Sequence, residues 1–210
     1  MRASAPAPSE NRVKHDRDLH IEAGVVADEL WTWANAVTLL RCVVGLTLFS
    51  IAAVTHEAVW NVAGLLVYWS LDTLDGFLAR RLNQETRLGA QMDILADRLL
   101  AAFFYLNFLT THPGLVVPVV LFLFEFMGFD HYLSNQFMRW PIRSPNYFYE
   151  VDPLIWRLNW SPPAKTLNSA LVTLTLLVSG SLPLALAVTL TLIGVKLYSI
   201  ARLHRLPAPR

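Results

Sequence analysis

The chain carries one cysteine, Cys42, in 210 residues. No intrachain disulfide can form, and a lone thiol inside an apolar run reads as a buried filler. Charge is scarce too. Lys, Arg, Asp and Glu make up 16% of the sequence, against 54% hydrophobic residues and a mean hydropathy of +0.41. A soluble domain carries about 25% charged residues, so a simple water-solvated globule does not fit. Basic and acidic residues nearly cancel, to a formal net charge of +1. No basic patch interleaved with aromatics stands out, so nothing points to a nucleic-acid partner. Met1 to Asn11 is rich in Ala, Pro and Ser and lacks the apolar stretch of a cleavable signal peptide. Insertion is therefore expected to start from a retained membrane helix. There is no internal repeat and no long low-complexity tract.

What the chain has instead is a series of long apolar runs. A bilayer-spanning helix needs about 20 mostly apolar residues. Six such helices are predicted, over about Ala36–Thr55, Ala58–Leu82, Leu88–Thr110, Leu115–Phe137, Ala164–Ser179 and Pro183–His204. The expected fold is an all-α integral membrane protein of six transmembrane helices with an N-terminal amphipathic juxtamembrane helix. Residues 1–17 form a disordered tail, 18–34 the interfacial helix, 35–205 the six-helix membrane domain and 206–210 a C-terminal tail. The interfacial helix rests on Leu19–Trp33, which mixes apolar and charged residues and ends in Trp31 and Trp33. Its apolar face is not strongly periodic, so a short soluble helix is the alternative.

Charge placement supports the layout. Cytoplasmic flanks carry the Lys and Arg of a membrane protein. Basic residues fall before the first helix, between the second and third (Arg80, Arg81, Arg87), between the fourth and fifth (Arg139, Arg143, Arg157, Lys165) and at the C-terminus (Arg202, Arg205, Arg210). The opposite connections, His56–Glu57, Thr111–Gly114 and Gly180–Leu182, contain none. This alternation predicts a multi-pass protein of the cell membrane with both termini cytoplasmic. The connection over residues 139–163 is long and holds five prolines and six aromatic residues, among them Trp140, Tyr147, Trp156 and Trp160. Long connections are usually functional or disordered, and this aromatic content argues against disorder. It reads as an interfacial cover over a site, or as a membrane-surface anchor with no contact to substrate.

Within the apolar runs lie four carboxylates: Asp72, Asp75, Asp93 and Asp97. Aspartate inside a membrane segment marks a functional site by default. Asp72, Asp75, Gly76, Ala79 and Arg80 share one face of a helix, and Asp93 and Asp97 share a face of the next. If the two helices pack antiparallel, four carboxylates point at one small volume. Unpaired they would repel and lose their hydration. A divalent cation removes both problems, and hard carboxylate oxygens suit Mg2+ or Mn2+. A cation transporter would also use intramembrane carboxylates. Against that reading, the acids cluster near one surface and no inverted repeat is visible.

The pattern D-x2-D-G-x2-A-R-x8-G-x3-D-x3-D, from Asp72 to Asp97, resembles the signature of the class I CDP-alcohol phosphotransferase family. The resemblance implies an integral-membrane phospholipid synthase. It would transfer a phosphatidyl group from CDP-diacylglycerol to an alcohol and release CMP, with Mg2+ or Mn2+ as cofactor. It implies Asp72, Asp75 and Asp93 as metal ligands, and Asp97 as the last of the metal-site carboxylates and the general base. Gly76, Ala79 and Gly89 leave room for the nucleotide, although small residues also favour close helix packing. Arg80 suits phosphate recognition. Upstream, Asn35-x2-Thr38-x2-Arg41 is similar to the family's stretch opening the first helix, with Ala34 where relatives often have Pro. Asn35 and Thr38 either cap that helix or touch the nucleotide. The family precedent implies a homodimer.

For the acceptor, the resemblance points to basic residues near the cytoplasmic ends of the last two helices: Lys165, Lys196 and Arg202, with Arg139 and Arg143. They favour a phosphorylated acceptor. Glycerol 3-phosphate comes first, then phosphatidylglycerol (giving cardiolipin) and inositol phosphate, ahead of serine. Positive-inside placement alone would also supply these residues. Asp130, His131 and Asn135 line an acceptor pocket or make interhelical hydrogen bonds. Glu125 reads as structural or protonated, and Arg98 as an ion-pair partner within the bundle. A catalytically dead lipid-binding relative is a further alternative, and the intact set of aspartates argues against it.

Overall fold

The structure is a computed structural model that describes residues 30–207. The tail expected over 1–17, nearly all of the interfacial helix expected over 18–34, and the end of the C-terminal tail lie outside the described residues. Within them no strand occurs. The elements are α1 (Trp33–Thr55), α2 (Ala58–Arg81), α3 (Arg87–Thr111), α4 (Pro113–Arg139), α5 (Pro153–Asn159), α6 (Pro162–Leu174, continued by a π-helical turn, Thr175–Ser179) and α7 (Leu182–Leu203). α1 to α4 and α7 are long and apolar enough to cross a membrane. α6 is apolar only over Ala170–Ser179. Its first half carries Lys165 and Asn168, which face a cavity, and so falls short of a full apolar span.

Local chemistry sets the helix ends. Thr32 caps α1, its Oγ1 accepting from Asn35 N at 3.0 Å, so α1 starts three residues before the predicted Ala36. Thr86 caps α3 in the same way, accepting from Gly89 N at 2.9 Å. α1 ends at His56 and the turn after α2 passes through Asn83, both in the left-handed region with φ of 59° and 53°. Polar residues also tie the spans together. Asn61 Nδ2 donates to Phe104 O at 3.1 Å, and Asn107 Nδ2 donates to Phe49 O at 2.8 Å. Two glycines allow close approach: a Cβ on Gly64 would stand 2.6 Å from Phe49, and one on Gly45 2.8 Å from Leu100.

Two apolar clusters hold the bundle. One gathers Phe49, Leu65, Tyr68, Leu100, Phe104, Tyr105, Phe122 and Val172 around α3. The other gathers Ile94, Leu133, Phe137, Phe148, Ile155, Trp160 and Leu203, and draws the connection over residues 139–163 into the core. That connection is folded. A 3-10 segment, Pro145–Glu150, leads into α5, whose cap Asp152 accepts from Leu154 N and Ile155 N, both at 2.9 Å. The outer faces expose Leu39, Val43, Leu66, Leu106, Val120, Phe124 and Leu190. In water such a belt would be an interaction surface; on helices of membrane length it matches acyl chains.

Candidate active site

α1 begins, α2 ends and α3 begins at the same end of the bundle, and a cavity of about 310 Å³ opens there. That is within the range of small-molecule sites, about 300–1,000 Å³. Tyr68 and Phe126 from the first apolar cluster and Ile94 and Trp160 from the second form part of its wall. The two caps bring Asn35 and Gly89 face to face on its rim. A Cβ on Gly89 would stand 2.7 Å from Asn35 Oδ1 and 2.9 Å from Thr86 Oγ1. Gly89→Ala should therefore displace the cap and lower stability by about 1–3 kcal/mol. A thermal melt in detergent checks this; a wild-type melting temperature would show that the rim yields freely.

Antiparallel packing of α2 on α3 brings the carboxylates together. One oxygen each from Asp72, Asp75 and Asp93 lie within 4.8 Å of one another. Asp75 is buried, and Thr38 Oγ1 donates to its Oδ2 at 2.8 Å. Asp72 and Asp93 are about 40% open to the cavity, with side-chain exposures of 42% and 39%. Asp97 stands one turn deeper along α3, outside this trio. Its Oδ1 is buried and has no hydrogen-bond partner.

A cation sits among these acids. Arg41 of α1 is fully buried. Its Nη1 bonds Asp72 Oδ1 and its Nη2 donates to Asp93 Oδ1 at 2.7 Å. Asp97 Oδ1 and Asp75 Oδ2 lie 3.4 and 3.8 Å from Nη1. Arg98 Nη1 lies 3.8 Å from Asp97 Oδ2, but the guanidinium is committed to Asp130 through its Nη2. One guanidinium therefore serves four carboxylates, so acids outnumber the cation among them. Hard oxygen donors at this spacing, with surplus negative charge and an orphaned buried oxygen alongside, fit a divalent cation.

A second polar network backs the first. Glu125–Asp130 of α4 is π-helical, a feature often found at functional sites. Asp130 bonds Arg98 and accepts from Lys196 Nζ at 2.6 Å; Lys196 also donates to Asn159 Oδ1 at 3.0 Å. Arg98 packs over the Phe126 ring at 4.2 Å. The aromatic connection closes the remaining side, with Ser144, Pro145, Asn146, Asn159 and Trp160 forming wall. It is tied to the α2–α3 turn: Tyr147 Oη donates to Glu85 Oε2, and Arg87 Nη2 donates to Met138 O at 2.8 Å. The Glu85 carboxylate pushes the Tyr147 phenol up to about 12, so it stays protonated and donating at neutral pH.

A sequence model described as CDP-alcohol phosphatidyltransferase matches residues 31–196, from the start of α1 into α7. The chain belongs to this family. Among curated relatives, a protein of Aquifex aeolicus named CDP-diacylglycerol–glycerol-3-phosphate 3-phosphatidyltransferase is 42% identical over 53 residues, 25% of this chain and 30% of that protein. A protein of the same name from Cereibacter sphaeroides is 30% identical over 101 residues, 45% of this chain and 46% of that protein. The chain thus spans less than half the length of these curated relatives. No solved structure matches.

Within this family member the cavity gathers most of the residues singled out in the sequence. The four aspartates line it, as do Gly76, Ala79, Arg80, Gly89, Asn35, Thr38 and Lys165. Of the further residues read for the acceptor, Asp130 also lines it, whereas Lys196, Arg202, Arg139, Arg143, His131 and Asn135 lie off it. Lys196 is buried behind Asp130, Arg202 Nε pairs with Asp152 at 2.8 Å, Arg139 Nη1 donates to Gln136 Oε1 at 3.2 Å, and His131 bonds Asn135. Asn35 Nδ2 reaches back to Leu30 O at 2.8 Å while Thr32 caps α1. Arg41 is the main component whose place was not read from the sequence. The available signal was a lone arginine inside an apolar helix, three residues after Thr38 and on the same face.

Proposed function

We propose that the chain is a phosphatidyltransferase that moves the phosphatidyl group of CDP-diacylglycerol to an alcohol and releases CMP. The observation that carries this reading is the trio Asp72, Asp75 and Asp93 around one volume, with Asp97 beside it, in a cavity walled by the signature's small residues. Asp72, Asp75 and Asp93 would hold Mg2+ or Mn2+. When bound, that ion supplies positive charge to the donor's phosphates and to the leaving group. Arg80, exposed on the rim and paired with no acid among the described residues, takes phosphate oxygens. Asp97 accepts the proton of the attacking hydroxyl. The basic connections of the chain flank the cavity end of the bundle, which supports a site and termini on the cytoplasmic side.

For the acceptor we favour glycerol 3-phosphate, the acceptor in the names of both relatives. Lys165 faces the cavity from α6, next to Asn168 and across from the aspartates, and suits one phosphate. Asn146, Ser144 and Asn159 add neutral polar groups for hydroxyls.

Gly76 separates nucleotide contact from helix packing. A Cβ there would have the Arg80 guanidinium as its nearest neighbour, at 3.4–3.9 Å. Gly76→Ala should thus fill cavity space, raising KM for CDP-diacylglycerol about tenfold while the melting temperature holds. A lower melting temperature with unchanged KM would assign it to packing instead.

The test is CMP release by purified protein with CDP-diacylglycerol, Mg2+ or Mn2+, and glycerol 3-phosphate, phosphatidylglycerol, inositol phosphate or serine. CMP formed with glycerol 3-phosphate and lost on chelation is expected. CMP formed with another acceptor alone would move the acceptor and keep the reaction. No CMP from folded protein with any of the four would overturn the reading.

A further inference from the structure

The family signature runs from Asp72 to Asp97, yet the group that touches most of it comes from α1. The Arg41 guanidinium bridges α2 and α3 by bonding Asp72 on one and Asp93 on the other, and it lies within 3.8 Å of an oxygen of all four aspartates. It is fully buried, with the Tyr68 ring 5.6 Å away on another side. Two of the three carboxylates that form the candidate metal site therefore already give an oxygen to a fixed cation.

We propose that Arg41 is a resident cation of the metal site, a positioning residue that holds Asp72 and Asp93 together before a divalent ion arrives and then competes with that ion for their oxygens. The inference rests on the metal-dependent reading above. Four carboxylates converging in a poorly hydrated volume would push α2 and α3 apart without a cation. An arginine stays charged at any physiological pH, so proton loss cannot empty its place. Its planar fork serves two carboxylates on different helices at once, which a point-charged ammonium does less well. The same contacts weaken the hold of the empty site on metal. A divalent ion meets a cluster with one negative charge fewer and with two of its oxygens shared. The donor's phosphates then add the missing negative charge, so full metal occupancy is tied to the presence of nucleotide.

The test measures metal binding apart from turnover. Mn2+ is titrated into the purified full-length protein, without nucleotide, and free Mn2+ is read by electron paramagnetic resonance. Arg41→Met should bind Mn2+ about tenfold more tightly than wild type, because the competing charge is gone, while CMP release falls. The rise in melting temperature on adding Mn2+ should be largest for Arg41→Met, intermediate for Arg41→Lys and smallest for wild type. A residue that served folding alone would lower Mn2+ affinity and activity together. Mn2+ affinity unchanged or weakened in folded Arg41→Met overturns the inference. If Arg41→Met does not fold, Arg41→Lys decides in the same way. Wild-type protein that binds no Mn2+ with or without CDP would overturn the metal-dependent reading itself, a different result from equal binding by wild type and variants.

Discussion

Asp97→Asn should leave a folded protein that still binds Mn2+ and releases CMP some 10²- to 10⁴-fold more slowly, the usual contribution of a positioned base. The substitution keeps the shape of the side chain and replaces a charged, proton-accepting carboxylate with a neutral amide. Asp97 is placed for that part. It lines the cavity, lies outside the trio within 4.8 Å, and its Oδ1 has no hydrogen-bond donor although it is buried. Its nearest cations stand off, Arg41 Nη1 at 3.4 Å and Arg98 Nη1 at 3.8 Å, each with a shorter bond to another acid. One oxygen is thereby left for an incoming hydroxyl. Asp93→Asn is the matching control. It removes a member of the trio and a partner of Arg41, so Mn2+ binding and turnover should both fall. If Asp97→Asn turns over like wild type, the base lies elsewhere. If it loses Mn2+ as fully as Asp93→Asn does, Asp97 belongs among the ligands.

The aspartates were legible because their spacing is a statement about helix faces, and every one lies where an antiparallel pair of helices puts it. The spans were legible from apolar runs alone. α6 is the shortest of them in apolar length, Ala170–Ser179, because Lys165 and Asn168 in its first half line the cavity. Basic residues were far less legible. Positive-inside placement brings Lys165, Lys196, Arg202 and Arg139 to one end of the bundle but does not say which of them meets an acid. The acid partners of Lys196 and Arg202 are Asp130 and Asp152, 66 and 50 residues away along the chain. Such pairing depends on how α4, α5 and α7 meet, which no local pattern encodes. The fold of the aromatic connection left a partial trace. Asp152 followed by Pro153 is a cap and a first-turn proline, and it starts α5. The π-helical turn that aims Asp130 at Arg98 and Lys196 left none: Glu125 and Asp130 stand out as acids in an apolar helix, but nothing in EFMGFD distinguishes a π-helical turn from an α-helical one.

Asp130 is where the second large effect is expected, and it falls on stability. Asp130→Asn should destabilise the protein by about 3–5 kcal/mol, the range for breaking a buried ion pair from one side. Asp130 is buried and bonds both Arg98 and Lys196, and Lys196 is only 1% exposed. Removing the one carboxylate between them leaves two buried cations facing each other, with Asn159 Oδ1 and Ser134 Oγ as neutral partners. Lys196→Met should be milder, because Arg98 still balances Asp130 and the aliphatic stem keeps its packing. The double variant should recover part of the loss from Asp130→Asn, a coupling that a double-mutant cycle of melts in detergent can measure. The network also reaches the chemistry. Freed from Asp130, Arg98, whose Nη1 stands 3.8 Å from Asp97 Oδ2, would turn toward that carboxylate and make the proposed base a weaker proton acceptor. Asp130→Asn should therefore lower turnover even at temperatures where it remains folded, while Lys196→Met, which keeps Arg98 engaged, should not. Equal melting of Asp130→Asn and wild type would mean that another acid takes up the cations. Glu125, buried nearby on the same π-helical turn with a free Oε1, is the group placed to do so.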